Sequence, residues 1–250
     1  MTTMGHTARV REALLPGDPL SLDEAVELTG AAREATVSAL NHLTGRGELV
    51  LVRRRLWVRA GGAVDPYRLA ARVVSPYAFS YGSALALVGA GPAERSEMLV
   101  SSPHRFSQFV FEGVRYRWAR PWQEEGLARV TVGPEFVWTT EPERTVVECV
   151  RVPANAGGMQ ELSRSLDLLP ELDDDRLLGW VDHYAEAALA SRLGYLLERT
   201  GLYGSQRQLL RALAARVPTH RVYLAERRPG GQLVKRWNLI VPPYLAPPPA

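Results

Sequence analysis

Apolar residues along the first sixty positions repeat at the three- and four-residue spacing of short helices and then alternate as in a β-hairpin. An apolar stripe from Val10 to Leu14 predicts a first helix. Ser21 followed by Glu24 is a capping-box pattern and predicts the start of a second helix, which is expected to end at Gly30. The chain therefore begins with short helices separated by tight turns.

A third helix is predicted from Arg33 to Thr44, because Val37, Leu40 and Leu43 are spaced by three residues. Its solvent face is expected to carry four polar side chains: Thr36, Ser38, Asn41 and His42. The turn between the second and third helices is too short for them to lie antiparallel. We therefore expect the steep crossing of a helix-turn-helix.

The next pattern predicts a two-stranded hairpin over residues 48–52 and 56–59, where apolar and polar residues alternate. Three successive arginines form its tip: Arg53, Arg54 and Arg55. Two glycines, Gly61 and Gly62, follow as a flexible joint. Residues 1–62 are thus predicted to form a winged helix-turn-helix domain.

Strand patterns dominate between residues 98 and 139, and helical patterns follow between residues 142 and 216. Two last strands are predicted near the end, the second over Leu233–Val241. This order predicts an α+β fold and not a regular βαβ alternation. The second domain, 63–243, is expected to combine an antiparallel sheet with a helical segment, and the Pro-rich tail, 244–250, is expected to be extended or disordered.

Composition excludes several classes of protein. The single cysteine, Cys149, rules out an intrachain disulfide and a cysteine-based zinc centre. The apolar runs are far shorter than the about 18 residues of a membrane span, and the N-terminal residues lack the apolar segment of a secretory signal. A cytoplasmic location is expected.

The net charge is only +3, but the charges are unevenly distributed. Residues 46–59 hold five arginines against one acid, residues 130–206 hold 6 arginines against 13 acids, and residues 207–250 hold 8 basic residues against one acid. A possible secondary nucleic-acid surface comprises Arg207, Arg211, Arg227, Arg228, Lys235 and Arg236. The alternative is that these residues pair with the acidic block, and both interpretations stay open.

Motifs for catalysis are missing from the sequence. The single lysine, Lys235, has no acid within several residues, the five histidines show no metal-binding spacing, and no G-x-S-x-G turn occurs. Asp173, Asp174 and Asp175 stand where a helix begins, as helix-capping acids do. We expect no catalytic site, no metal and no cofactor.

The predicted third helix and hairpin together favour double-stranded DNA as a partner. A helix fits the major groove, where Asn pairs with adenine and Arg with guanine, and arginines at a hairpin tip can contact phosphates. The alternatives are a simple solvated helix face and a winged helix that docks a protein.

Three segments behind the predicted winged helix carry a family resemblance: DPYRLAARVVSPYAFSYGSALALVGAG, EPERTVVECVRVPANAGG and SRLGYLLERTG. With them, the chain resembles the AbiEi family of antitoxins from bacterial type IV toxin–antitoxin systems. The resemblance extends over nearly the whole chain, and the PERT and RLGYLL sequences are its most specific parts.

The resemblance implies a DNA-binding repressor of its own operon that recognises inverted repeats, with a C-terminal domain that counteracts a toxin. The toxin is typically an AbiEii-like nucleotidyltransferase, and no stable complex with it is required. DNA contacts are implied on the third helix and the hairpin tip. Related hairpins often carry glycine directly before the aliphatic and aromatic pair. Here Arg55 precedes Leu56 and Trp57, and a side chain resists the positive φ that glycine permits.

The residues that carry the family motifs are Glu143, Arg144, Arg192, Gly194 and Tyr195. Glu143 and Arg144 fit either a surface that contacts the toxin or its RNA substrate, or a helix cap with an internal salt bridge. Arg192 and Tyr195 are similarly open, and Gly194 is expected to mark close helix packing. Two other functions also stay open: a stand-alone transcriptional regulator whose second domain senses a ligand or docks a protein, and a nucleic-acid-processing enzyme.

Overall fold

The computed structural model describes residues 5–91, 96–201, 206–225 and 230–246. The chain divides into two compact units, and each is assembled from separate stretches of sequence. The first unit contains residues 1–78, 96–123 and 129–138, and the second contains residues 79–95, 124–128 and 139–250.

The N-terminal part of the first unit has three helices and three short strands. These are α1 (His6–Ala13), β1 (Pro19–Ser21), α2 (Leu22–Thr29), α3 (Arg33–Gly45), β2 (Leu49–Arg53) and β3 (Leu56–Arg59). Strand β3 pairs antiparallel with both β1 and β2. The helices pack with this sheet around a core of Val10, Leu20, Leu40, Leu43 and Trp57.

Both ends of α2 are set by local sequence. The backbone N–H of Glu24 donates to the Ser21 hydroxyl at 3.2 Å, and the backbone N–H of Ser21 donates to the Glu24 carboxylate at 2.8 Å. Gly30 ends the helix in the left-handed region, and its N–H donates to the Val26 carbonyl. The predicted capping box and helix end are confirmed, and a cap of this kind contributes about 1 kcal/mol.

The remainder of the chain up to residue 140 is rich in strands. It contains α4 (Pro66–Ala70), β4 (Ala78–Phe79), β5 (Glu97–Ser101), β6 (Phe109–Phe111), β7 (Val114–Ala119), β8 (Leu127–Val132) and β9 (Glu135–Thr140). The strands form a six-stranded sheet in the order β6-β7-β5-β4-β9-β8. Strands β6 and β7 are antiparallel, whereas β5 and β7 are parallel, so the sheet is mixed and antiparallel pairing accounts for only part of it.

The second unit is largely helical. Its further elements are α5 (Tyr81–Leu87), α6 (Pro142–Arg151), α7 (Met159–Leu166), α8 (Asp174–Tyr184), α9 (Leu189–Glu198), α10 (Arg207–Ala214), β10 (Val222–Tyr223), β11 (Gln232–Val234) and β12 (Leu239–Val241). The predicted α+β class is confirmed. None of the helices in the described part of the chain combines the length and apolar character that a membrane span requires.

Two predictions near the C-terminus are wrong. The strand predicted over Leu233–Val241 is interrupted by a 3₁₀ turn at Lys235–Trp237, because Asn238 adopts a left-handed conformation and reverses the chain. Strands β11 and β12 therefore pair antiparallel, while β10 is parallel to β12. The tail is also folded at its start, since Pro243–Leu245 forms a 3₁₀ turn in which Leu245 is buried. Residues 247–250 lie outside the described residues.

Candidate nucleic-acid interface and family-motif residues

Helix α3 separates a buried face from a polar one. Leu40 and Leu43 are fully buried, whereas Ser38, Asn41 and His42 are exposed. The exposed side chains lie at spacings of three and four residues, so they share one face of the helix. Three of the four polar residues that the sequence places toward solvent are therefore accessible.

Thr36 is the exception, and its predicted place on the solvent face is wrong. Its side chain is fully buried, and its hydroxyl is hydrogen-bonded to that of Thr29 at 3.0 Å. Thr36 precedes Leu40 by four residues and shares its face, so helical spacing turns it inward despite its polarity. The hydroxyl also donates to the Ala32 carbonyl, which satisfies the buried group without solvent.

The three arginines at the tip of the β2–β3 hairpin have different surroundings. Arg54 and Arg55 are exposed. The guanidinium of Arg53 instead lies over the Phe109 ring, 4.9 Å from its centre, and 5.8 Å from the centre of the Phe106 ring. Burial lowers the pKa of Arg53 below its ordinary value. Arg54 and Arg55 are therefore the cations that this tip presents to solvent.

Arg55 occupies the position where glycine was expected to be needed. Its φ is 68°, so the turn does adopt a left-handed conformation with an arginine in place. This conformation costs a non-glycine residue about 1 kcal/mol. The backbone N–H of Leu22 donates to the Arg55 carbonyl at 3.0 Å, which helps to hold the turn.

Three other arginines near the hairpin share the carboxylate of one acid, Glu48. Glu48 accepts hydrogen bonds from Arg11 at 2.6 Å, from Arg46 at 2.9 Å and from Arg59 at 3.2 Å. These partners, Arg11 first, hold the pKa of Glu48 well below its usual range. Arg46 and Arg59 of the basic run are therefore engaged by Glu48, which leaves the arginines of the hairpin tip without this acid as a partner.

An ion-pair network inside the first unit ties α4 to its neighbours. Arg68 bonds Asp18 at 2.7 Å and Glu135 at 2.8 Å, and Arg72 bonds Glu135 at 2.8 Å and Glu24 at 3.0 Å. Burial alone would raise the pKa of Glu135, but hydrogen bonds from Arg72 and Arg68 outweigh it, so that pKa is lowered. Glu24 thereby serves both the capping box of α2 and this network.

Three of the four PERT residues at the start of α6 are buried: Glu143, Arg144 and Thr145. Glu143 accepts a hydrogen bond from the backbone N–H of Asp173 at 2.8 Å, just before α8 begins. The Arg144 guanidinium bonds Glu148 at 2.8 Å, and both side chains are fully buried. Arg144 also donates to the Glu125 carbonyl at 2.7 Å. The surface interpretation of Glu143 and Arg144 is wrong, and the internal salt bridge is confirmed. The predicted cap is absent, because none of the described side chains caps the first turn of α6.

The RLGYLL residues on α9 are mainly structural. Gly194 faces the Trp237 ring so closely that an added Cβ would lie 2.1 Å from Cζ3 of that ring, which confirms close packing. The buried Tyr195 hydroxyl donates to the Leu245 carbonyl at 2.7 Å. Arg192 is half-buried, and its Nε donates to the Tyr223 carbonyl at 2.8 Å.

The PERT and RLGYLL sequences both lie within a stretch that matches a known family model. Residues 112–199 match the AbiEi antitoxin C-terminal domain. The match confirms the family resemblance over the stretch from β7 to α9, and it supports an antitoxin role in a toxin–antitoxin system.

The fold also has a counterpart among solved structures. The crystal structure of the RV2827C protein from Mycobacterium tuberculosis aligns with a TM-score of 0.66 and 19% identity, covering 94% of this chain and 91% of that one. At 19% identity, this similarity shows a shared fold alone. No curated protein sequence matches the chain.

C-terminal to the AbiEi match, the basic residues have mixed surroundings. Arg207 and Arg211 are exposed on α10, and Lys235 is exposed after β11. Arg236 instead forms an ion pair with Glu198 and lies over the Trp237 ring. Arg227 and Arg228 lie outside the described residues. Of the two interpretations, pairing with an acid therefore holds for Arg236. Arg207, Arg211 and Lys235 are accessible, as a nucleic-acid surface requires.

Within the AbiEi match, sequence reasoning missed an aromatic face on β9. The side chains of Phe136 and Trp138 are 68% and 44% exposed, and the buried Val137 lies between them. The Arg129 guanidinium on β8 lies 5.6 Å from the centre of each ring. The i, i+2 spacing of the two aromatic residues in a strand was the available signal, because it places both on one face.

Proposed function

We propose that the protein is the antitoxin of a type IV toxin–antitoxin pair, which binds inverted-repeat DNA at its own promoter and represses it. Its C-terminal part counteracts a nucleotidyltransferase toxin without a catalytic site of its own. The AbiEi match over residues 112–199 carries this proposal. The proposed division assigns DNA binding to residues 1–62 and the antitoxin role to residues 63–243.

The N-terminal elements support the DNA-binding part. Helix α3 has an exposed polar face and is followed by a two-stranded hairpin, the arrangement of a winged helix-turn-helix. Asn41 has the amide that pairs bidentately with adenine, and Ser38 and His42 add donors and acceptors beside it. Arg54 and Arg55 supply cations for backbone phosphates.

Asn41→Ala and Arg54→Gln should weaken DNA binding in different ways. Asn41→Ala should reduce the preference for promoter DNA over scrambled DNA about tenfold, because a bidentate base contact is lost. Arg54→Gln should weaken binding to both DNAs alike and reduce the salt slope by about one, because a phosphate contact is lost. Fluorescence anisotropy across a salt series, with DNA from upstream of the gene, measures both quantities.

Each of these variants serves as the control for the other, since both positions are exposed. Arg33→Gln, at an exposed position in the first turn of α3, provides a second charge-matched comparison for Arg54→Gln. If Asn41→Ala leaves the sequence preference intact, this face of α3 is not the recognition surface. Equal binding of the unaltered protein to promoter and scrambled DNA would contradict repression.

Antitoxin activity should survive loss of DNA binding. Co-expression with a nucleotidyltransferase encoded in the same operon, from an unrelated promoter, should restore growth. The combined variant Asn41→Ala with Arg54→Gln should restore it equally well, because the two activities are assigned to different parts of the chain. Growth curves with protein levels matched by immunoblot measure this.

Failure of the unaltered protein to restore growth would overturn the antitoxin role. If only the combined variant failed at equal abundance, the division of labour between the N-terminal and C-terminal residues would be wrong.

A further inference from the structure

A cavity of about 520 Å³ lies within the second unit, lined by residues of α6, α7, α9 and the C-terminal segment. Its volume falls in the range of small-molecule sites. Two arginines, Arg151 and Arg192, line it together with apolar side chains that include Pro153 and Met159. The cavity thus combines positive charge with apolar walls.

Arg192 is the less compensated of the two cations. Its Nε donates to the Tyr223 carbonyl at 2.8 Å, and among the described residues it forms no ion pair. Burial lowers the pKa of Arg192, against an opposing effect of the Glu186 charge. A half-buried guanidinium that makes no direct ion pair recovers only part of its desolvation cost. Its two Nη groups are the donors left for a ligand.

Arg151 is held in place by other contacts. Its Nε donates to Glu186 at 2.8 Å, and its guanidinium lies 3.9 Å from the centre of the Tyr184 ring. Glu186 is thus engaged by Arg151, and the two arginines exceed it by one positive charge. One uncompensated positive charge therefore lies beside the apolar walls of the cavity.

The cavity also borders the start of α7. Gly158 lines it and precedes the helix with φ 91°, and no side chain caps the first turn. The first backbone N–H groups of a helix lack partners within it and favour an anion. Both the start of α7 and the two arginines therefore favour an anionic ligand.

We propose that this cavity binds a small organic oxyanion, a carboxylate or phosphate group carried on an apolar or aromatic body. The Nη groups of Arg192 hold the oxyanion, because a guanidinium matches both groups in a bidentate manner. Pro153 and Met159 contact the body of the ligand. The site shares no residue with the proposed DNA contacts, and the proposal does not depend on them.

Phenyl phosphate and benzoate are suitable probes, because each joins an oxyanion to an aromatic ring. Isothermal titration of the full chain should show saturable one-to-one binding of at least one probe, and neutral phenol should not bind. Arg192→Gln should weaken that binding at least tenfold. Arg207→Gln, which removes an exposed arginine of α10, should leave it unchanged. The comparison of the two probes shows which oxyanion the cavity prefers.

A second variant keeps both arginines and narrows the cavity instead. Ala154 is exposed at the cavity lining, so Ala154→Trp is compatible with folding and should weaken binding of the probes at least tenfold. Equal weakening by Arg192→Gln and Arg207→Gln would show general charge attraction and overturn the proposal. The absence of saturable binding by either probe would overturn it as well.

Discussion

Replacement of Arg144 by methionine should lower the free energy of unfolding by about 3–5 kcal/mol, because it leaves the Glu148 carboxylate buried without its cation. Arg144 and Glu148 are both fully buried. The same guanidinium donates to the Glu125 carbonyl and lies 5.5 Å from the centre of the Trp180 ring. Methionine fills a similar length but replaces none of these contacts. Urea denaturation followed by circular dichroism and tryptophan fluorescence measures the change.

The double variant Arg144→Met with Glu148→Leu is the appropriate control. It removes both charges, so it should recover at least half of the loss, as buried ion pairs replaced by apolar residues commonly do. Glu148 also accepts a hydrogen bond from the Tyr184 hydroxyl at 2.7 Å, so recovery should be incomplete. A loss below about 1 kcal/mol in the single variant would show that the pair contributes no more than a surface ion pair.

Gly194→Ala should lower the free energy of unfolding by about 3 kcal/mol, because the added methyl group collides with a ring that has no room to move. The new Cβ would lie 2.1 Å from Cζ3 and 2.3 Å from Cη2 of Trp237. Trp237 is fully buried, and its Nε1 donates to Glu198 at 2.6 Å. Either α9 or the ring must shift. Urea denaturation of the full chain tests this.

Gly179→Ala provides a matched control in another helix of the same unit. An added Cβ at Gly179, within α8, would meet nothing within 4 Å. This variant should be neutral or more stable by up to about 1 kcal/mol, because alanine favours a helix over glycine. Combining Gly194→Ala with Trp237→Leu should recover part of the lost free energy of unfolding, because the ring that collides with the new methyl group is removed. Equal effects at Gly194 and Gly179 would contradict the steric account.

The sequence predicted those features that depend on neighbouring residues. The capping box of α2 at Ser21 and the end of that helix at Gly30 both arise from contacts within a few positions. Strand partners were harder to predict. The parallel pairing of Glu97 with Arg115 joins strands separated by a third one in the chain, and no local pattern specifies it.

Sequence patterns also predicted only part of the candidate nucleic-acid interface. Helical spacing correctly placed Asn41 on the exposed face, but Thr36 was assigned from its polarity although the same spacing turns it inward. Arg53 was grouped with Arg54 because the two are adjacent. The aromatic rings beneath Arg53 come from a distant part of the sequence, including Phe109, and could not be anticipated.

The burial of the motif residues affects how genetic results must be interpreted. Glu143, Arg144, Gly194 and Tyr195 are all buried, and their contacts lie inside the second unit. In cells, a stability loss of even about 1–2 kcal/mol changes the steady-state level of a protein severalfold, because unfolded chains are degraded. A screen for inactive antitoxin alleles will therefore be enriched in these positions through proteolysis, although none of the four need contact a toxin.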